Sequence, residues 1–575
     1  MTASGTTQFD ARDVLLPTRC IDIVQKHVCL RDTSGIRGSY VALSHRWGKA
    51  TEESKTTTSN FDRRTNGRDL DSLPKMLEDA ICITKSLGIR YLWIDSLCII
   101  QSGDDGADWL KEAAQMARYY QQSMLTISAP SSTPLRSMLA PRLERPFQSL
   151  LRLPYRNSKN IQEGYFYLYR PTHRSSQLYL KDVRESELRS RGWIFQEWFL
   201  SRRIIYYTPR ELFFECQAET PRSERQQRVT GTHEPDLALR TQFRSSGFDH
   251  WYRLVESYSK TNLTRPEKDH IIALSGIAQE FREVIKANNK APKMVSLKYV
   301  SGFWLEDLHH GLLWQTTDQE QKVCNCGAPS WSWAAQLGEV KWLQRAAKSM
   351  KELEFVALVD LSGVHPISKL NHLPKLKTQG SSDTVTDLDE RVSEQGMSDL
   401  MTPGNSLIVK GRTQLVLIDN NSNRVENEPR FRKDLDYGTV ETLARETGVE
   451  LPEDYKLWKD NMDCQRAGDW RFVCSPSTPE IIGGWALFEN SHLTNHFSSY
   501  DGFSALVLHV STRKKVAPGG RSRSTKLNMY HDVYDVLFLE AQGGETFRRL
   551  GVGRIMDRQI IKGFNTAEDQ ELTLV

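Results

Sequence analysis

Residues 40–48 read YVALSHRWG, and residues 91–101 read YLWIDSLCIIQ. Tyr40–Ser44 is apolar, uncharged and β-compatible, then breaks at Trp47-Gly48. It predicts a buried strand with a loop at its C-terminal end. Tyr91–Asp95 predicts a second buried strand of the same kind. Between them, residues 49–70 are polar and rich in Thr, Asp and Arg, which predicts an exposed loop. Pro74 then opens a helix that carries Leu77, Ala80, Ile81, Thr84 and Leu87 at helical spacing, and Gly88 is placed to end it. After a turn at Gly103–Gly106, Ala107–Gln122 predicts a helix with Trp109, Ala113, Met116 and Tyr120 on one face. Met124–Ser128 is a third short strand. Strands alternating with helix-length spacers point to a parallel α/β sheet.

Working outward, residues 131–187 look like an insertion, with Pro, Arg and an aromatic run of Tyr165, Phe166, Tyr167 and Tyr169. The pattern resumes with a helix near 188–199, a strand at Arg203–Tyr207 and a further strand at Glu211–Cys216. Residues 221–248 are polar and Arg-rich, a linker or long loop. Residues 249–316 look helical, and Ala328–Ala335 (APSWSWAA) is expected to pack between segments. Residues 365–405 are rich in Ser, Asp, Thr and Gly and are expected to be mobile. The runs SLIVKG, WALF, ALVLHV and DVLFLEA give the C-terminal part a β-rich character.

The bulk numbers narrow the function classes. Lys and Arg total 76 against 72 Asp and Glu, a net charge of +4 over 575 residues, so nothing in the charge balance supports a nucleic-acid partner. No run approaches the roughly 18 apolar residues of a membrane span, and the first residues have no apolar core of a secretory signal. Nine Cys, thinly spread, suggest reduced thiols in an intracellular compartment. Cytoplasmic localisation is expected. The basic stretch Arg513–Lys526 leaves a nuclear address open, beside its plainer reading as a solvated hairpin tip. Cys324-x-Cys326 has no second Cys pair at zinc-ligand spacing; His309 and His310 are nearby in sequence, but two ordinary thiols are expected and no metal centre.

In an open parallel sheet, ligands bind beyond the C-terminal ends of the strands. That singles out Ser44, His45, Arg46 and Trp47 after the first strand and Asp95 and Ser96 after the second. A hydroxyl and a guanidinium suit phosphate or ribose recognition. The plainer reading has Ser44 and Asp95 capping turns and Arg46 paired with a carboxylate. In RGWIFQEWFL, residues 191–200, Trp193 and Glu197 are four apart and share a helix face, with Gln196 beside them. A Glu held against indole rings is desolvated and its pKa rises. Such a carboxyl group can stabilise an oxocarbenium-like centre. The alternative is a surface Glu paired with Arg189, Arg202 or Arg203. No P-loop, G-x-G-x-x-G, H-E-x-x-H or G-x-S-x-G motif is present; Leu43 stands where a P-loop needs its first glycine.

The strings YVALSHRWG, YLWIDSLCIIQ and RGWIFQEWFLSRRIIYY resemble the three signature blocks of the fungal heterokaryon-incompatibility (HET) domain. WYRLVESYSKTNLTRPEKDHIIALSGIA, GFWLEDLHHGLLW, APSWSWAA and EAQGGETFRRLGVGRI resemble segments that follow it in such proteins. Two positions depart from the pattern: His45 stands where Tyr is usual, and Ile100 where Asn is usual. The resemblance implies an extension at 1–36, a HET domain at 37–220 with the insertion 131–187, a mainly helical segment at 221–340, a linker at 341–405 and a β-rich module at 406–575. It implies a TIR-like, flavodoxin-like parallel sheet and a role in non-self recognition and programmed cell death. By analogy with TIR domains, it also implies NAD as a substrate, with no retained cofactor. Glu197 is then the catalytic residue, and Ser44, Arg46, Trp47, Asp95, Trp193 and Gln196 bind substrate. Activation through self-association or a protein partner follows from the same analogy. A non-enzymatic signalling module that kills through protein–protein contacts is the alternative.

Overall fold

The computed structural model describes residues 11–24, 28–67, 70, 73–130, 137–141, 147–171, 175–224, 228–229, 235–243, 247–288, 297–317, 322–346, 349–360, 363–367, 406–418, 469–489, 503–513 and 532–575. The chain divides into two units. The first is Met1–Arg244 with Asp383–Glu394; the second is Ser245–Ser382 with Gln395–Val575.

The first unit is built on a mixed sheet of β1 (Arg19–Asp22), β2 (Cys29–Asp32), β3 (Tyr40–Ser44), β4 (Tyr91–Trp93), β5 (Leu125–Ser128), β6 (Arg203–Tyr207), β7 (Leu212–Cys216) and β8 (Glu219–Ser223). Their order across the sheet is β8-β7-β6-β5-β3-β4-β1-β2. The four central strands are mutually parallel: β3 pairs with β4 and β5, and β5 with β6. The outer pairs on both sides are antiparallel. Every residue of β3 and β4 is buried, because helices cover the sheet faces; this is why these strands read as continuous apolar runs rather than alternating ones.

Helix α1 (Lys75–Ser86) connects β3 to β4 and buries Met76, Leu77, Ala80, Ile83 and Thr84. Of the stripe expected from the spacing, Leu77, Ala80 and Thr84 are buried, Ile81 is half-buried and Leu87 is exposed. Each large apolar side chain sealed here is worth roughly 1.5–3 kcal/mol. Between β4 and β5 the expected single helix is broken into two pieces, Ala107–Ala113 and α2 (Met116–Gln122). The break lets Asp108 and Glu112 face Arg19, while Tyr119 and Tyr120 reach Trp93 with ring centroids 5.3 and 5.4 Å away. Helix α3 (Gly192–Leu200) leads into β6. The segment before it contains an antiparallel hairpin, Phe147–Arg156 with Gln162–Pro171, and forms no part of the main sheet.

Two expectations for this unit are corrected. Residues 49–70 are not a plain exposed loop: Lys49–Ser54 and Phe61–Thr65 are short helices. Thr56 and Arg64 are buried because they are hydrogen-bonded, Arg64 Nη1 to Thr56 Oγ1 at 2.7 Å and Thr56 Oγ1 to the Leu97 carbonyl at 2.6 Å. At Thr56 and Arg64 polarity marks buried, hydrogen-bonded groups, while Glu52, Glu53, Ser59, Asp62 and Arg63 face solvent as expected. Nor are residues 221–248 simply a linker. Pro235–Gln242 is a helix, and its Arg240 pairs with Glu215, both side chains fully shielded.

The second unit starts with helices Phe248–Tyr258 and Ile272–Asn288. The helix expected through GFWLEDLHHGLLW is cut short: Tyr299–Val300 and Phe303–Trp304 pair as strands, and only Leu305–Asp307 (3-10) and Leu308–Gly311 (α) are helical. The turn between them uses Ser301 at φ 46° and Gly302 at φ 91°. A Cβ on Gly302 would lie 2.4 Å from Trp333 Nε1, and both Trp251 and Trp333 donate to the Gly302 carbonyl. Trp331 and Trp333 of the APSWSWAA stretch are fully buried, as a packing role requires. The rest of the unit is a large, mainly antiparallel sheet. Its longest strand, Ser406–Ile418, pairs with Glu354–Asp360, Phe503–Arg513 and Asp569–Leu574. Val416, Val473, Phe488, Val507, Val536 and Phe538 are in its core. The stretch expected to be mobile beyond residue 367, and the basic stretch beyond residue 513, lie outside the described residues. Among the described residues no helix is long and apolar enough to cross a membrane.

Candidate functional site

The parallel strands run in the order second, first, third, fourth, so the connections diverge to opposite sides between β3 and β5. At such a point a crevice forms beyond the strand ends. The side chains found there are Ser44 from the end of β3, Asp95 just after β4, Tyr120 from α2 and Glu197 from α3.

Asp95 organises the loops. Trp47 Nε1–H donates to Asp95 Oδ2 at 2.8 Å, and the Ser96 N–H donates to Oδ1 at 2.7 Å. Gln101 Nε2 donates to the Asp95 carbonyl at 2.9 Å. His45 Nδ1 is 3.8 Å from Asp95 Oδ1. Burial lowers the His45 pKa, Asp95 opposes that effect, and Arg191 adds to it. His45 is therefore a neutral ring at physiological pH, with a buried Nε2 that has no hydrogen-bond partner.

Glu197 is 4% exposed, so the reading of it as a surface ion pair fails. Its pKa is pushed up to about 7, first by burial and then by the Asp95 charge; hydroxyl hydrogen bonds from Ser44 and Tyr120 and the Arg191 charge work the other way. Its Oε2 has no hydrogen-bond partner. The adjoining cavity, lined in part by Ser44, Thr126, Ser128, Trp198 and Tyr206, holds about 10 Å3, room for one water.

Four of the sequence-selected residues thus come together: Ser44 and Glu197 in hydrogen-bond contact, with Trp47 joined to Asp95 beside them. Three do not. Arg46 has a half-exposed side chain paired with Glu187, the carboxylate pairing weighed for it. Trp193 stands edge-on to Trp109, ring centroids 5.9 Å apart, and Gln196 is buried at 1% exposure. The sequence spacing places Tyr120 only on a core face. Its hydroxyl was the missed signal, because a buried phenol needs a polar partner. His309 and His310 do not approach Cys324 and Cys326; His270 does.

Residues 40–197 match the family model described as heterokaryon incompatibility protein (HET). This stretch is similar to the HET family. The match begins with the first residue of β3 and ends on Glu197, so the HET region holds the three inner strands β3, β4 and β5 and every residue of the crevice. No curated protein and no solved structure matches the chain.

Next to the crevice, beyond the matched stretch, the sheet holds a second buried carboxylate of opposite character. Glu215 on β7 accepts from Trp198 Nε1 at 2.8 Å, Tyr179 at 2.8 Å and Tyr206 at 2.7 Å, and it pairs with Arg240. Burial would raise its pKa, but Arg240 and the hydroxyl donors outweigh that and hold it at about 2. Of these two buried carboxyl groups, Glu215 is fully partnered. The other is underpartnered and poised near neutrality, the pattern expected of a group used in chemistry.

Proposed function

We propose that this chain is an effector of non-self recognition whose HET domain cleaves the nicotinamide–ribose bond of NAD, with Glu197 as the catalytic residue. The observation that carries the reading is Glu197 itself: a sealed carboxyl group with a pKa near 7 and a vacant oxygen, at the strand-order crevice. The strand order β4-β3-β5-β6 resembles the doubly wound, flavodoxin-like order, which supports the comparison with TIR domains.

In the reaction the C1′–N bond breaks and its electron pair leaves with nicotinamide. The ionised Glu197 stabilises the ribosyl cation, and water adds at C1′ and releases a proton. Ser44 orients the carboxylate or a ribose hydroxyl, and Asp95 with Trp47 holds the loop. Arg46 contacts phosphate after leaving Glu187; Trp193 and Gln196 line the approach. NAD is a substrate here. The 10 Å3 cavity does not admit a dinucleotide, so the reading requires α3 or the loop after β3 to move, driven by self-association or a protein partner. We place the protein in the cytoplasm, where NAD is available.

The small cavity favours a second reading, in which the HET domain acts by protein contact alone. The deciding experiment measures NAD loss and nicotinamide release by the full-length protein, dilute and concentrated, beside Glu197→Gln. Cleavage that vanishes in Glu197→Gln supports the enzyme. Full cleavage by that variant overturns the role of Glu197. Absence of cleavage from folded protein in every condition favours the contact reading.

A further inference from the structure

Outside the HET domain, one ring nitrogen of His270 and the sulfurs of Cys324 and Cys326 lie within 4.8 Å of one another. His270 and Cys324 are buried and Cys326 is half-buried. His270 occupies the junction between the helices Pro266–Asp269 and Ile272–Asn288. It is fixed there by the Tyr258 hydroxyl, which donates to its carbonyl at 2.7 Å, and by the Trp333 ring 5.2 Å away. Cys324 follows the short strand Lys322–Val323, which pairs with Gln336–Leu337, and its N–H donates to the Ala335 carbonyl at 2.8 Å. Gly327, at φ 74°, then turns the chain back immediately after Cys326.

From this geometry we infer that His270, Cys324 and Cys326 form a binding site for a thiophilic divalent cation, zinc by preference. Two thiolates and an imidazole are the ligand set that zinc favours. The plainer reading, two ordinary thiols donating to carbonyls, accounts for contacts of Cys324 Sγ with Pro266 O at 3.6 Å and Cys326 Sγ with Ala334 O at 3.2 Å. It does not account for the turn. The backbone N–H of Cys326 faces the Cys324 sulfur and that of Ala328 the Cys326 sulfur. Thiols accept such bonds poorly; thiolates accept them well. His270 Nδ1 also meets Ala334 O at 3.2 Å, the same carbonyl that Cys326 Sγ reaches, so the imidazole and the Cys326 sulfur are held side by side.

A tetrahedral zinc with Zn–S near 2.3 Å and Zn–N near 2.0 Å keeps its ligand atoms about 3.5–3.8 Å apart. Closing from within 4.8 Å asks about 1 Å of side-chain movement. Binding releases the thiol protons. The three residues leave a fourth position open, and His270 also lines a cleft of about 750 Å3 that includes Lys260, Asn262, Lys322 and Glu339. Water or a ligand from the cleft completes the coordination.

The test uses full-length protein purified under reducing conditions from zinc-supplemented cells. Elemental analysis should find about one zinc per chain. Cobalt(II) added to the stripped protein should give sulfur-to-metal charge transfer and the visible bands of a tetrahedral site. Cys324→Ser, Cys326→Ser and His270→Gln should each lose stoichiometric retention, while Cys82→Ser, at an exposed thiol elsewhere, should keep it. Should the variants fail to fold, the wild-type cobalt spectrum decides. The inference is overturned by wild-type protein without zinc or thiolate–cobalt bands, by full retention in Cys326→Ser, or by a Cys324–Cys326 disulfide in freshly isolated protein.

Discussion

The indole N–H of Trp47 donates to Asp95 Oδ2 at 2.8 Å, tying the loop after β3 to the loop after the neighbouring β4. A hydrogen bond to a charged, partly buried acceptor is worth about 1.5–3 kcal/mol. Trp47→Phe keeps the ring and removes the donor, and should cost an amount in that range in the unfolding transition of the first unit, followed by denaturant titration.

Asp95 also acts on Glu197 through its charge. Asp95→Asn should move the Glu197 pKa downward from about 7, read from the carboxyl carbon chemical shift during a pH titration. An unchanged midpoint would mean that the two carboxyl groups do not sense each other.

The raised Glu197 pKa has a definite sign in stability. Between its ordinary value of 4.5 and about 7 the native state holds a proton that the unfolded chain has released, so stability falls as pH rises through this window. The full cost is on the order of 3 kcal/mol. Glu197→Gln should therefore match the wild type in stability near pH 4.5 and exceed it at pH 8. If Glu197 works as a carboxylate, NAD loss should instead rise with pH through about 7, and a rate independent of pH from 6 to 8 would remove that role.

Glu215 has the opposite sign. Its pKa is lowered from 4.5 to about 2, so its contribution is complete above pH 4.5 and is lost as pH falls toward 2. Glu215→Gln would strand the fully buried Arg240 cation, costing about 3–5 kcal/mol near neutral pH, measured by denaturation. The difference between variant and wild type should shrink in acid.

Gly302→Ala places a methyl group 2.4 Å from Trp333 Nε1 at a backbone φ of 91°. A loss of about 1–3 kcal/mol in the second unit is expected, seen as a lower melting temperature with the first unit's transition unchanged.

The parallel core was legible because β3 and β4 are buried on both faces and carry no polar interruption. Helix α1 was legible because its buried positions repeat at helical spacing between Pro74 and Gly88. The helices within residues 49–70 were hidden because Thr56 and Arg64 are polar yet buried, and only their distant partner Leu97 explains that. The turn at Gly302 was hidden for a related reason: the helical pattern of residues 305–311 reads as continuous with the residues before it, and only Trp333, 31 residues on, shows where the Gly302 carbonyl bonds. At the crevice, Glu197, Ser44, Asp95 and Trp47 were found from strand ends and helix spacing. Tyr120 and His270 were not, because neither has a partner close by in sequence.

The HET match stops at residues 40 and 197, but the sheet does not. β4 is hydrogen-bonded to β1, and β5 to β6, and both partners lie outside the matched stretch. A fragment cut to the matched residues would turn two interior strands into bare borders, with unpaired amides along apolar rows and β1 and β6 missing. Such a fragment would gather into insoluble stacks, and any cell death it provoked would report aggregation rather than the native domain. Fragments meant to isolate the domain should begin ahead of Arg19 and run past Ser223.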